Sequence, residues 1–265
     1  MSRGNALRRD GFSLAEILVA VAILSIVILV VAQIVGATAR VIDYSVRNMD
    51  AATQANQALD RIGSDLRRLV RRTDLAPSVT LRQGNDALQF YAAVPAYEGT
   101  RGVSLVSYRI AASGDDGSPV LQRGAYGSGW SAGSPPQVAF SGPGAVSATV
   151  PEANFQTLAP AVFRMELAFV SRSSGAFMKS PATADWSDAA GVWVTLAALD
   201  AKSRQALGTR QGAVIGAFGT ALADFDGAAG VAGQWEQAAR NPGADAALPA
   251  AMRGRLRIVQ RFYEW

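Results

Sequence analysis

Hydrophobic and polar positions change period twice along the chain. From Phe12 to Ala39 the residues are mostly aliphatic, and the only formal charge among these 28 positions is Glu16. A helix of that length at about 1.5 Å per residue reaches ~42 Å, more than the ~30 Å of a bilayer's hydrocarbon core. From 41 to 72 the apolar residues thin to one stripe, Val46, Met49, Ala52, Ala55, Leu59, Ile62, Leu66 and Leu69, recurring every three or four positions. Asp60, Arg61, Asp65, Arg67, Arg68, Arg71 and Arg72 fill the remaining surface. This pattern predicts an amphipathic helix with a solvated charged face. Its closing arginines complement the helix dipole, and Pro77 stops it.

From residue 78 the period falls to two. It predicts strands at Ser78–Arg82, Ala87–Val94, Val103–Ile110, Val120–Arg123, Ala161–Val170, Val192–Leu199 and Arg255–Phe262. "SGDDGSP" at 113–119 reads as a hairpin turn. Residues 124–160, rich in Gly, Ser and Pro, read as a long surface loop with one or two short strands. Ala213–Phe225 and Ala232–Arg240 have helical spacing, and "NPGADAALP" (241–249) reads as a linker into the last strand. No internal repeat is present. One long helix followed by mostly antiparallel strands predicts an α+β fold.

Composition narrows the chemistry. The chain has 265 residues, is 49% hydrophobic and 17% charged, and so has the material for a packed core. Its net charge of +4 is too small to mark a nucleic-acid binder. There is no cysteine, so no disulfide framework supports the fold. There is no histidine either, which removes Ser-His-Asp and Cys-His catalysis and the commonest zinc ligand.

Glu16 is then the residue that needs an explanation. An acid at the centre of a spanning helix costs about 2.5 to 3.5 kcal/mol on insertion scales, and less toward an end. It either marks the membrane interface or does a job inside the membrane. Arg3, Arg8 and Arg9 precede the apolar run and Arg40 is the first charge after it, which orients the N-terminus toward the cytoplasm. The run exceeds a signal-peptide core of about 7 to 15 residues, so a retained signal anchor fits better than cleavage near Ala37–Ala39.

The stretch "GFSLAE", Gly11 to Glu16, resembles the class III signal of type IV pilin-like proteins. In that family prepilin peptidase cuts after the glycine, and the new N-terminal residue is methylated. The resemblance implies cleavage between Gly11 and Phe12, methylation of Phe12, and Glu16 as the fifth residue of the mature chain. Asp10, beside the cleavage point, departs from the usual basic or neutral residue there. A new ammonium at Phe12 would lie one helical turn from Glu16. A carboxylate paired in this way costs far less in low dielectric than one left alone. In the family the amine can also belong to a neighbouring subunit, which makes Glu16 an assembly residue.

Downstream, "ALDRIGSDLRRL", "LVSYRI" followed by "VLQRG", and "AFV" ahead of "GVWVTLAALD" resemble the J-type minor pseudopilins of type II secretion. The ending "LRIVQRFYEW" is similar to that of verrucomicrobial cassette pilin-like proteins. Absence of a cysteine pair leans toward a pseudopilin over a major pilin.

Other motifs are weaker. "GWSAG" (129–133) satisfies G-x-S-x-G, but Ser131 lacks the following helix and any histidine partner. Gly127, Gly129 and Gly133 imitate a nucleotide loop without the right spacing. "DFDG" (224–227) and Asp115-Asp116-Gly117 start like calcium loops but lack the closing glutamate, and read as turns. Among the tryptophans, Trp130, Trp186, Trp193, Trp235 and Trp265, a sugar platform is conceivable. Trp193 is expected in the core, and Trp130 and Trp186 are candidates for partner contact.

The expected organisation is a leader at 1–11, a transmembrane helix at 12–39, an amphipathic stalk at 40–76 and a periplasmic head at 77–265. The expected function is that of a non-enzymatic, inner-membrane minor pseudopilin near the tip of a secretion pseudopilus. Its expected partners are prepilin peptidase and other pilin-like subunits, and no cofactor, metal, nucleic acid or catalytic residue is expected. The alternatives are a minor type IV or cassette pilin, or a membrane-tethered envelope enzyme or carbohydrate-binding domain.

Overall fold

The computed structural model describes residues 14–71, 78–81, 84–97, 102–113, 117–128, 149–179, 188–227, 230–240 and 254–264. The chain forms two compact units, one through Val46 and one from Arg47 to Trp265. Helix α1, Leu14–Leu66, supplies the described part of the first and opens the second.

In the first unit, Leu14–Val35 is a 22-residue apolar helical stretch with none of its side chains buried. Its backbone is satisfied within the helix, the only arrangement besides a closed barrel that lipid tolerates. The hydroxyl of Ser25 donates back to the Val21 carbonyl at 2.8 Å and so satisfies its own donor within the helix.

The second unit is α+β, as the change of period predicts. β1 (Ser78–Thr80), β2 (Ala87–Ala92), β3 (Val103–Ser113), β4 (Ser118–Ser128) and β5 (Phe155–Ala159) form an antiparallel sheet in chain order. β6 (Val162–Ser171), β7 (Phe177–Met178), β8 (Ala189–Ala198) and β9 (Arg257–Glu264) form a second antiparallel sheet, ordered β7-β6-β8-β9. Three helices, α2 (Ala201–Gln205), α3 (Gln211–Ala221) and α4 (Val231–Arg240), sit between β8 and β9 in the sequence.

The main core lies where both sheets meet α1. Ala51, Ala55, Ala58, Leu59, Ile62 and Leu66 of the helix cluster with Phe90 and Val106 of the first sheet. Leu167, Val194 and Tyr263 of the second sheet join the same cluster. Spacings of three and four along α1 put the six helix residues on one face. The opposite face of the second sheet carries a separate core, in which Phe163 and Ala197 pack with Ile215, Phe218, Phe225 and Trp235. β6 is therefore buried on both faces, which explains its nearly unbroken apolar run.

Several expectations need correction. The buried stripe of α1 uses Ala51 and Ala58, whereas Met49 is exposed. The helix ends at Leu66, before the arginines that were expected to close it. The first sheet ends it. The Val70 N–H donates to the Tyr91 carbonyl at 2.9 Å, the Ala93 N–H donates to the Arg68 carbonyl at 2.8 Å, and Leu69 bridges Ala92. Asp65 is buried and not on the solvated face.

In the 124–160 region, β4 runs on to Ser128, beyond the strand expected to end at Arg123, and β5 pairs with it as one of the short strands expected there; residues 129–148 lie outside the described residues. The hairpin strands β3 and β4 are longer than the alternation suggested, pairing from Val103↔Ser128 to Ser113↔Ser118. The helix expected at Ala213–Phe225 starts two residues earlier and stops at Ala221, because residues 222–226 are drawn onto β6. The linker at 241–249 lies outside the described residues.

Candidate functional site

Gly11 and Phe12 lie outside the described residues. Glu16 occupies the first turn of α1, where a negative charge complements the positive end of the helix dipole. Around and beyond it, Leu14, Ile17, Leu18, Val21, Leu24 and Ile28 are all exposed. Continuous apolar exposure on every side is what a bilayer or a bundle of similar helices covers, and it exceeds what a water-facing helix carries.

Among its described residues the second unit offers no comparable apolar surface, but it holds two buried charge clusters. In the first, Arg123 of β4 donates through Nε to Asp65 Oδ2 at 2.7 Å, and the Tyr108 hydroxyl donates to the same oxygen at 2.6 Å. Both charged side chains are almost fully buried, at 2% and 1% exposure. The Tyr97 ring lies beside the Arg123 guanidinium, 5.3 Å from its centroid. Burial opposes the Arg123 charge, but its bond to Asp65 and the groups around it hold its protonated form above the ordinary arginine value. Burial, together with the Asp65 charge, pushes the Tyr108 phenol well above its usual range. The cluster fastens the end of α1 to the first sheet.

In the second cluster Arg164, fully buried on β6, donates through Nη2 to Glu166 Oε2 (3.0 Å), the Leu222 carbonyl (3.2 Å) and Asp224 Oδ1 (2.6 Å). Asp224 was expected to serve as a turn former; it is instead an ion-pair partner. Trp235 is fully buried, with its ring 5.3 Å from the Arg164 guanidinium and its Nε1–H bonded to the Ala223 carbonyl at 2.8 Å. That location removes Trp235 from any sugar platform. Trp193 is half-buried against Phe262, with ring centroids 5.2 Å apart.

Ser131, Trp130, Trp186, Trp265, Asp115 and Asp116 lie outside the described residues. Gly127 sits within β4 and opens no helix. Among the described residues, no group of three or more His, Cys, Asp or Glu side chains is arranged to hold a metal ion. Sequence reasoning missed both clusters. The signal of the second was present in β6, where Arg164 and Glu166 interrupt an apolar run two positions apart and therefore share a face.

Residues 7–32 match the family described as the prokaryotic N-terminal methylation motif. The chain carries a prepilin-type, class III signal. The matched segment includes Gly11, Phe12 and Glu16 and extends well into the exposed apolar part of α1. No curated protein matches the prepilin-type chain. Among solved structures it is similar to a type IV-like pilin from Thermus thermophilus, with 12% identity over 80% of this chain and 94% of that one, at a TM-score of 0.41.

Proposed function

We propose that this prepilin-type chain is a non-enzymatic structural subunit, a minor pseudopilin at or near the tip of a type II secretion pseudopilus. One observation carries the reading: the methylation motif at 7–32 runs through most of an apolar helical stretch, Leu14–Val35, that has no buried side chain and carries Glu16 in the first turn of α1. A helix of this kind needs lipid before assembly and neighbouring helices after it. The finer placement rests on the downstream resemblance to J-type pseudopilins. It also rests on the bulk of the unit from Arg47 to Trp265, since a large head packs poorly along a helical fibre. In this reading Glu16 pairs with the Phe12 ammonium, its own or a neighbour's, and sets the register of assembly. The chain sits in the inner membrane with its head in the periplasm.

The test is co-expression with prepilin peptidase followed by intact-mass and N-terminal analysis. The expected product lacks the 11-residue leader and begins with N-methylated Phe12. An intact leader, or a cut near Ala39, refutes the assignment.

A further inference from the structure

Within the apolar stretch Leu14–Val35, the side chains that carry polar atoms are Glu16, Ser25 and Gln33. Two of them have a place. Glu16 stands in the first turn of α1, and the Ser25 hydroxyl is satisfied by the Val21 carbonyl. Gln33 differs. Its side chain is exposed on the apolar surface, and among the described residues no hydrogen bond reaches its amide. A carboxamide brings two N–H donors and an oxygen acceptor, and a lipid tail can match neither.

Two amides further along the same helix mark the contrast. Asn56 Nδ2 donates to the Ala52 carbonyl at 2.9 Å. Gln54 Nε2 donates to Asp50 Oδ2 at 3.1 Å, and its Oε1 accepts the Ala161 N–H at 3.1 Å. Gln33 also lies inside the uncharged run and not at its edge. It stands ~26 Å along the helix from Glu16, and no charge follows it before Arg40.

The residues that share its face form a seam. Steps of four and three back from Gln33 lead to Leu29, Ile26, Ala22 and Val19, all exposed. This alternation is the line along which two helices wrap around each other, and a small residue such as Ala22 lets their backbones approach.

We propose that this face pairs with the same face of a second copy of the chain, the two Gln33 carboxamides bonding to each other across the seam. This pairing rests on reading α1 as a membrane-spanning helix.

Depth and chemistry select the occupant. Two copies inserted with the same orientation carry Gln33 at the same depth, so the amides meet. A carboxamide both donates and accepts, so two of them satisfy each other reciprocally. A helix with an aliphatic residue at that level would leave the amide unmatched in a medium where an unpaired polar group is costly. Glu16 does not oppose the pairing. It lies ~100° around the helix from Gln33, so the seam does not press two carboxylates together.

The test uses the absence of cysteine from the chain, which makes any introduced thiol a unique reporter. Leu29→Cys places a thiol ~40° around the helix from Gln33, and Val31→Cys places one ~160° away, on the opposite face. Each full-length variant is reconstituted into phosphatidylcholine vesicles, washed with alkaline carbonate to establish insertion, then oxidised and resolved without reductant. The expected result is a disulfide-linked dimer through position 29 well above that through position 31. Adding Gln33→Leu to Leu29→Cys should lower the association constant, taken from the dimer fraction at varied protein-to-lipid ratios, by about threefold to twentyfold, the range of interhelical side-chain hydrogen bonds in membranes. Gln33→Asn, which keeps the amide, should retain most of the association. Equal crosslinking at the two positions overturns the seam, and a dimer fraction indifferent to Gln33→Leu overturns the role of the amide. A carbonate-resistant monomer overturns the pairing and leaves the membrane anchor standing, with Gln33 facing the bilayer surface. Release of the chain by carbonate overturns the membrane-spanning reading itself, and the pairing with it.

Discussion

Removing either partner of the Asp65–Arg123 pair should destabilise the protein. Asp65→Asn leaves the guanidinium of Arg123, only 2% exposed, with no counter-charge. Breaking a buried pair in this way costs about 3 to 5 kcal/mol. An arginine cannot give up its proton, so this loss should persist from pH 5 to pH 8. Arg123→Met instead strands the carboxylate, which keeps the Tyr108 hydroxyl at 2.6 Å and has Arg61 Nε at 3.6 Å from its other oxygen. Arg61 is half exposed, so solvent screens much of its compensation, and the loss at pH 8 should sit near ~3 kcal/mol. The double variant Asp65→Leu with Arg123→Met removes both charges and should be more stable than either single variant. Urea unfolding of the full chain in micelles, followed by tryptophan fluorescence, measures all three. Losses below ~1 kcal/mol, or a double variant no more stable than either single variant, would refute the argument.

Two further predictions concern assembly and close packing. Glu16→Val should leave leader removal intact and membrane accumulation undiminished, yet reduce crosslinking to neighbouring pilin-like subunits, because the Phe12 ammonium loses its partner; normal crosslinking with normal secretion would reduce Glu16 to a surface marker. Gly191→Ala should lower stability by about 1 to 3 kcal/mol or more, since a Cβ there would run into the Tyr263 carbonyl and lie 2.6 Å from Phe262 Cζ, and backbone cannot swing aside; an unchanged urea midpoint would contradict this.

The N-terminal segment was legible because its signal is local: an apolar run of the right length, one acid at a fixed offset, and a basic leader. The α+β class was legible for the same reason, since a change of period from 3.6 to 2 survives without knowledge of contacts. What escaped was set by tertiary pairing. Asp65 reads as part of a charged face until β3 and β4 bring Tyr108 and Arg123 over it. Leu69 continues a helical stripe in sequence, but β2 offers it and its neighbour Val70 sheet pairing that the helix cannot match. Arg164, Glu166 and Asp224 look like an interrupted strand and a turn until the 222–226 loop folds back across β6. Short elements such as α2 and β7 carry too few residues for any period to show.

The meeting of β9 with α1 has a consequence for how the chain comes into being. The Tyr263 hydroxyl bonds to the Leu59 carbonyl across 204 positions of sequence, and its ring fills the space that a side chain at Gly63 would need. β9 also completes the ladder along β8, from Gly191↔Glu264 to Ala198↔Arg257. Contacts at such separation form slowly, because a long loop must close before they return any stabilisation. The unit from Arg47 to Trp265 therefore cannot mature piece by piece as it is synthesised. The part of α1 at Leu59 and Gly63 that Tyr263 covers stays open until β9 has been made, and during that interval it is accessible to any chaperone that can cover it.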